Sequence, residues 1–235
     1  MAGRVVAVVP AAGAGVRFGA NKTFVRLLGK PVLAWTLGAL AASGEVSEII
    51  PVLREEDMEA CLSLVEEHGI PKVRRVAPGG AERQDSVLSG LKLVGDEDSV
   101  VLVHDGVRPL LDAVLVSNVL KGLEGFDGSV CAVAPKDTIK ELAQDGTARS
   151  TPPRELLVAV QTPQAFGFRT LMEAYRKAAA EGYRSTDDSA LVERAGGRIN
   201  VVEGTYRNIK ITTPEDMLVA ELFLNNPAAG CDTCC

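Results

Sequence analysis

The chain has 235 residues, 46% of them apolar, and 25 Lys and Arg against 31 Asp and Glu give it a formal net charge of −6. That length and apolar content suit one sizeable α/β domain, and the acidic balance argues against nonspecific nucleic-acid binding and against docking on an anionic membrane. No apolar run approaches the roughly 20 residues of a membrane-spanning helix, and Met1-Ala2-Gly3-Arg4 leads almost at once into apolar sequence, so the expectation is a cytoplasmic protein without signal or transit peptide.

Residues 4–9 read as a first strand, and it runs directly into Pro10-Ala11-Ala12-Gly13-Ala14-Gly15-Val16-Arg17, with Lys22 beyond. Gly and Ala at a strand end let backbone N–H groups approach a phosphate chain closely. Arg17 and Lys22 would supply the charge, so the loop reads as a triphosphate cradle. Its spacing is neither that of a dinucleotide fingerprint, since Gly19 comes one place late, nor that of a P-loop, since no glycine precedes Lys22. Without a ligand the same residues would form a tight strand-to-helix turn.

Pro31 then opens a helix to about Ala42, a strand follows over 47–53, a helix over 56–67 is closed by His68-Gly69, and 72–77 reads as a third strand. Gly79-Gly80 breaks the chain before a helix from about Glu82 to Val94. The continuous apolar run 99–103 predicts a central strand buried on both faces, ending in His104-Asp105-Gly106-Val107-Arg108-Pro109. A helix over 112–124 and a strand over 128–134 come next. Residues 136–160 read as two extended segments around Gln144-Asp145-Gly146, an Asp-Gly turn signal, forming a protruding arm. Such an arm has little core of its own and needs support from a partner chain. Helices near 168–181 and 187–195, a strand over 198–202, an alternating strand over 207–213 and a helix over 214–224 complete the pattern. Alternating strands and helices predict a Rossmann-like wound, mostly parallel sheet with helices on both faces, plus the hairpin arm. One domain spans 1–224, and 225–235 is expected to be a mobile tail.

In open α/β sheets the ligand crevice lies at the carboxyl ends of the strands, which places Asp105 and Arg108 beside the glycine loop. Asp105 suits a metal or a ribose or polyol hydroxyl, and Arg108 suits a phosphate through its planar fork of donors. His104 reads as a satisfied strand-end histidine. Gly79-Gly80-Ala81-Glu82-Arg83-Gln84-Asp85-Ser86 combines flexible glycines with a serine hydroxyl, which fits a nucleobase pocket; the alternative is that Glu82 and Asp85 merely complement the helix dipole. Lys210, flanked by Ile209 and Ile211, would face opposite to them and could reach the crevice. The odd count of five cysteines, with Cys231, Cys234 and Cys235 crowded at the end, argues against a disulfide framework. The cations Arg17, Lys22, Arg108 and Lys210 fit phosphoryl or nucleotidyl transfer, where positioning and charge neutralisation carry most of the catalysis.

Six blocks in order resemble the 2-C-methyl-D-erythritol 4-phosphate cytidylyltransferases: Pro10 to Arg17, Gly79 to Ser86, His104 to Pro109, Asp137-Thr138-Ile139-Lys140, Gln161-Thr162-Pro163-Gln164-Ala165-Phe166 and Asn208 to Asp216. The resemblance implies a fold of the nucleotide-diphospho-sugar transferase type and a reaction joining CTP to methylerythritol phosphate with Mg²⁺ or another divalent cation. It implies that Ala11, Ala12, Gly13, Gly80 and Ser86 hold the cytidine, and that Arg17, Lys22 and Lys210 are catalytic. Asp105, Arg108 and Thr162 would hold methylerythritol phosphate, with Thr138 and Arg154 supplied by the arm of a second protomer in a homodimer. The chain departs from the resemblance at Ala81, where an aspartate is usual, and at Asn21-Lys22-Thr23, in place of Pro-Lys-Gln. The alternatives are a cytidylyltransferase for ribitol 5-phosphate and a non-catalytic nucleotide-binding homologue.

Overall fold

The computed structural model describes residues 3–13 and 23–226. Along the chain, β1 (Val5–Pro10) is followed by the short pair β2 (Arg26–Leu27) and β3 (Lys30–Pro31), then α1 (Val32–Ala42), β4 (Val46–Leu53), α2 (Met58–Glu67), β5 (Ala77–Pro78), α3 (Arg83–Leu91), β6 (Val100–Val103), α4 (Ala113–Lys121) and β7 (Gly128–Val133). The short strands β8 (Glu141–Leu142) and β9 (Ala148–Ser150) precede β10 (Ala159–Gly167), α5 (Phe168–Ala180), α6 (Asp188–Arg194), β11 (Ile199–Glu203) and α7 (Pro214–Asn225). No helix among the described residues is long and apolar enough to cross a membrane.

Seven strands form one sheet in the order β11-β7-β10-β6-β1-β4-β5, every neighbouring pair parallel except the two that involve β10. The valine run of β1 shows why the strand lies inside it. Val5, Ala7 and Val9 enter the core on one face and Val6 and Val8 the core on the other, as the two-residue side-chain period requires. Helices α1, α2 and α4 cover the first face through Leu37, Leu64 and Val119. Helices α3, α5 and α6 cover the second through Leu91, Leu171 and Leu191. Each such side chain contributes on the order of 2 kcal/mol by leaving water. Helix α1 is buried nearly all round, because Val32 and Trp35 also meet a satellite cluster built from Leu27, Ile211 and Met217.

Five elements differ from the sequence expectation. The strand expected over 72–77 shrinks to Ala77–Pro78. Val73 bridges Ile49 while Ala77 pairs with Val52, so one extra residue separates the two contacts and breaks the ladder. Residues 207–213 make no strand: Asn208 and Ile209 donate their N–H groups to Thr205 and Arg207, and only Ile211 reaches across, to the Val107 carbonyl at 2.9 Å. The alternation of side chains survives, with Ile211 in the satellite cluster and Lys210 directed into the crevice. Strand β10 was hidden by Pro163, which reads as a breaker; its register to β7 jumps between Val160 and Gln164, which accommodates the proline. The pair β2–β3 turns through Leu28 and Gly29, both at positive φ, the geometry that a two-residue hairpin demands. The arm is present as a hairpin with Gly146 at φ +84°, but its paired strands are only two and three residues long, and Arg154–Leu156 forms a single 3-10 turn.

Candidate active site

Three loops meet at the carboxyl ends of the strands. The Ala11 N–H donates to Val52 at 2.8 Å, the Gly79 N–H to Leu53 at 2.6 Å and the Gly106 N–H to Pro10 at 3.1 Å, so the loops after β1, β5 and β6 are tied to neighbouring strand ends. The loops after β1 and β5 touch, since a Cβ added to Gly79 would lie 2.3 Å from the Ala12 Cβ, and where the second of these runs into α3 a Cβ on Gly80 would lie 2.3 Å from the Asp85 Cβ. Only glycine fits there.

Between the loops lies a cavity of about 270 Å³, walled by Ala11, Ala12, Gly13, Gly80 and Ser86, and beside it one of about 200 Å³, walled by Arg108, Gln161, Thr162 and Asp187. Arg83, Asp105 and Lys210 line both. In the first cavity Ser86 is already oriented: it accepts from the Gly80 N–H at 3.1 Å and gives its own hydrogen to the Glu82 carbonyl at 3.1 Å. One lone pair remains for a ligand.

Asp105 is the electrostatic centre. Arg83 Nε sits 3.0 Å from one carboxylate oxygen, Lys210 Nζ 2.7 Å from the other, and Arg108 Nε 3.8 Å away. Burial opposes its ionisation, but Arg83, then Lys210 and Arg108, more than offset this and hold the carboxyl well below the usual carboxylate range. Arg83 is itself anchored from behind. Its Nη1 meets Asp188 at 2.6 Å, and the Tyr175 hydroxyl donates to the same carboxylate at 2.6 Å. Arg108 donates to the Asn208 carbonyl at 2.7 Å, and burial lowers its guanidinium from the ordinary value.

Thr162, on β10, accepts from the Asp105 N–H at 3.0 Å and lies 3.1 Å from His104 Nδ1. Burial, with the Arg108 guanidinium close by, pushes the His104 imidazole down to about 4. Thr138 and Arg154 are joined to each other at 3.2 Å, both exposed on the arm, and neither lines the two cavities. Arg17, Lys22 and the tail cysteines Cys231, Cys234 and Cys235 fall outside the described residues.

The sequence reading thus brings Ala11, Ala12, Gly13, Gly80, Ser86, Asp105, Arg108, Thr162 and Lys210 to one crevice. It missed the part played by Arg83, whose place in a first helical turn beside Ser86 was the available signal, and by Asp188 and Tyr175, polar groups on the apolar faces of α6 and α5. Both Asp105 oxygens are held by cations, and among the described residues no three His, Cys, Asp or Glu side chains converge as metal ligands. The carboxylate can accept from a ribose or polyol hydroxyl, or serve as the one protein carboxylate of a cation otherwise held by phosphate oxygens.

A wound sheet whose crevice holds a glycine loop, a base-sized slot and a cationic second cavity belongs to the nucleotidyltransferase class. Residues 5–226 match the 2-C-methyl-D-erythritol 4-phosphate cytidylyltransferase family. Among curated proteins, the enzyme of that name from Geotalea uraniireducens (strain Rf4) is 48% identical, covering 95% of this chain and 97% of its own, and that from Clostridium acetobutylicum is 40% identical, covering 93% and 96%. The crystal structure of 4-diphosphocytidyl-2C-methyl-D-erythritol synthase from Anaerococcus prevotii is 34% identical with a TM-score of 0.84, over 95% of this chain and 99% of that one. The chain belongs to the 2-C-methyl-D-erythritol 4-phosphate cytidylyltransferase family.

Proposed function

We propose that the crevice transfers the cytidylyl group of CTP to the phosphate of 2-C-methyl-D-erythritol 4-phosphate, giving 4-diphosphocytidyl-2-C-methyl-D-erythritol and pyrophosphate. The observation that carries this is the pair of adjoining cavities sharing Arg83, Asp105 and Lys210, which sets a nucleotide slot against a second site and places cations where the two ligands meet. A substrate phosphate oxygen attacks the α-phosphorus in line, the bond from that phosphorus to the bridging oxygen breaks, and pyrophosphate leaves. The attacking oxygen is already an anion, so no general base is required. Positioning and neutralisation of charge carry the step.

Each residue then has a task. The backbone of Ala11, Ala12 and Gly13, with Gly80 and Ser86, holds the cytidine. Because its hydrogen is committed to Glu82, Ser86 offers an acceptor, which suits the 4-amino group of cytosine and repels the 4-oxo group of uracil. Lys210 leaves Asp105 for the charge that grows at the α-phosphorus. The place of Arg17 and Lys22 just after the glycine loop supports a grip on the triphosphate. Asp105, Arg108 and Thr162 take methylerythritol phosphate. Mg²⁺, or another divalent cation, would be held chiefly by triphosphate oxygens, with Asp105 the one protein carboxylate lining both cavities, and would screen the phosphate charge.

The arm supports a homodimer. Leu142, Leu156 and Val158 are exposed on it, and Thr138 and Arg154 line neither cavity of their own chain, so they are the natural contribution of one protomer to its partner's second site. Replacing Leu156 with Asp is expected to give monomers by sedimentation, with folded-state spectra retained and turnover lost. Cys61 and Cys131 are buried free thiols, each pushed up to about 12 by burial, as suits the reducing cytoplasm.

The activity is tested by incubating the protein with methylerythritol phosphate, Mg²⁺ and each of CTP, UTP, ATP and GTP, and measuring pyrophosphate. Release with CTP alone is the expected result. Release only when ribitol 5-phosphate replaces methylerythritol phosphate overturns the reading, as does no release with either.

A further inference from the structure

The Thr162 hydroxyl has one hydrogen and two lone pairs to distribute. The Asp105 N–H takes one lone pair at 3.0 Å. The fate of the hydrogen is decided by His104, which has no exposed surface and whose two ring nitrogens both have partners. Nε2 lies 3.2 Å from the Arg108 carbonyl, and Nδ1 lies 3.1 Å from Thr162 Oγ1. A carbonyl can only accept, so Nε2 carries the ring hydrogen. A neutral ring then has a bare Nδ1, and its hydrogen-bond partner among the described residues is the Thr162 hydroxyl, which supplies the hydrogen.

We propose that His104 is a positioning residue that draws the Thr162 hydroxyl hydrogen inward, so that Thr162 presents a lone pair to the crevice and accepts from a hydroxyl of the sugar-alcohol chain, not from its phosphate. This deepens the reading of the second cavity as the polyol phosphate site and rests on it. A phosphate oxygen has no hydrogen to give and would meet lone pair with lone pair at Thr162. Such a clash orients the ligand: its hydroxyls lie over β10, and its phosphate is turned toward Lys210 and the α-phosphorus. The burial that keeps the imidazole neutral preserves the polarity of the relay.

The test joins a spectroscopic and a kinetic measurement on the full-length protein. The chain has two histidines, so long-range proton–nitrogen NMR of the wild type, assigned with His68→Gln, reads the His104 tautomer directly. The Nε2–H form is expected, and an Nδ1–H or doubly protonated ring overturns the relay. In kinetics, His104→Leu is expected to raise KM for the polyol phosphate about tenfold, the size of one lost hydrogen bond, with KM for CTP unchanged. His104→Asn, which keeps an acceptor near the Nδ1 position, should restore much of the loss. In a Thr162→Val background His104→Leu should add nothing. Equal rises in both KM values, or additive losses in the double variant, make His104 merely structural and sink the proposal. Wild-type protein that releases no pyrophosphate with CTP and either polyol phosphate sinks the activity reading instead, and the tautomer then decides the relay alone.

Discussion

Glu48 and Asp105 are both buried carboxylates surrounded by cations, at opposite ends of one sheet, and they have been put to different uses. Glu48 lies in the first half of β4, paired across to Val6. Arg4 contacts one of its oxygens and Arg75 contacts both, the Nε at 2.9 Å. Its acceptors are taken by arginines that cap the sheet from outside. Asp105 stands past the carboxyl end of β6, where the chain turns into a loop and the cavities open. One of its three cations is Lys210, whose flexible stem can let go. The difference shows that an ion cluster is read by what surrounds it: a carboxylate saturated by arginine forks is a rivet, whereas one sharing its oxygens with a lysine beside empty space is poised to exchange partners.

The largest test of that contrast is Lys210→Ala. Turnover is expected to fall by about 10²- to 10³-fold, as for loss of one preorganised charge contact, while the thermal midpoint shifts little because the lysine is partly exposed. A substantial loss of stability with modest loss of turnover would reverse the assignment. Glu48→Gln is the mirror experiment: stability is expected to drop by about 2 kcal/mol, the range for lost hydrogen bonds to a charged group with the arginines left solvated, with turnover of the folded fraction unchanged. Denaturant melts and assays below the new midpoint check both halves.

A third test uses pH. His104 is neutral in the fold and its pKa is depressed to about 4, so its contribution is fully present above the unfolded value near 6.5 and is lost as pH falls from there toward 4. The loss is about 3 kcal/mol at 1.36 kcal/mol per unit, and the wild-type urea midpoint should fall across this interval more steeply than that of His104→Gln. Asp105 gives a second acid edge at lower pH: its carboxyl is held below the usual carboxylate range by Arg83, Lys210 and Arg108, so its contribution persists throughout that interval and fades only in stronger acid. Smallest of all is Arg75→Met. Its side chain is 41% exposed and Arg4 remains on Glu48, so a cost of about 1 kcal/mol or less is expected.

How much of this was legible in the sequence follows from how local each cause is. The valine run of β1, the apolar run of β6 and the Pro-started helix α7 carry their periods and caps in contiguous residues, and they formed where expected. Asp216 even advertises its cap, accepting from the Thr212 and Thr213 N–H groups at 2.7 and 2.8 Å. Strand β10 was illegible because its partners lie more than 60 residues upstream at β6 and about 30 at β7, and its proline carries the signature of a break. The crevice was half legible. Asp105 and Ser86 announce themselves by position at a strand end and a helix start, and Lys210 by its apolar neighbours. Arg83 shares that helix start, but its task does not follow from it: that task depends on Asp188, 105 positions away, and no spacing rule reaches that far. His104 was passed over because a buried histidine is commonly inert; only its two partners reveal that its ring has a direction.

The arm is left with bare leucines at Leu142 and Leu156, 64% and 77% exposed. If the arm pairs as proposed, a newly made chain carries these apolar side chains bare until a second copy arrives. Apolar edges of this kind attract unrelated surfaces as readily as the right one. Under the proposed pairing, the time each copy waits for its twin would govern how much usable protein survives, and that wait lengthens as expression falls.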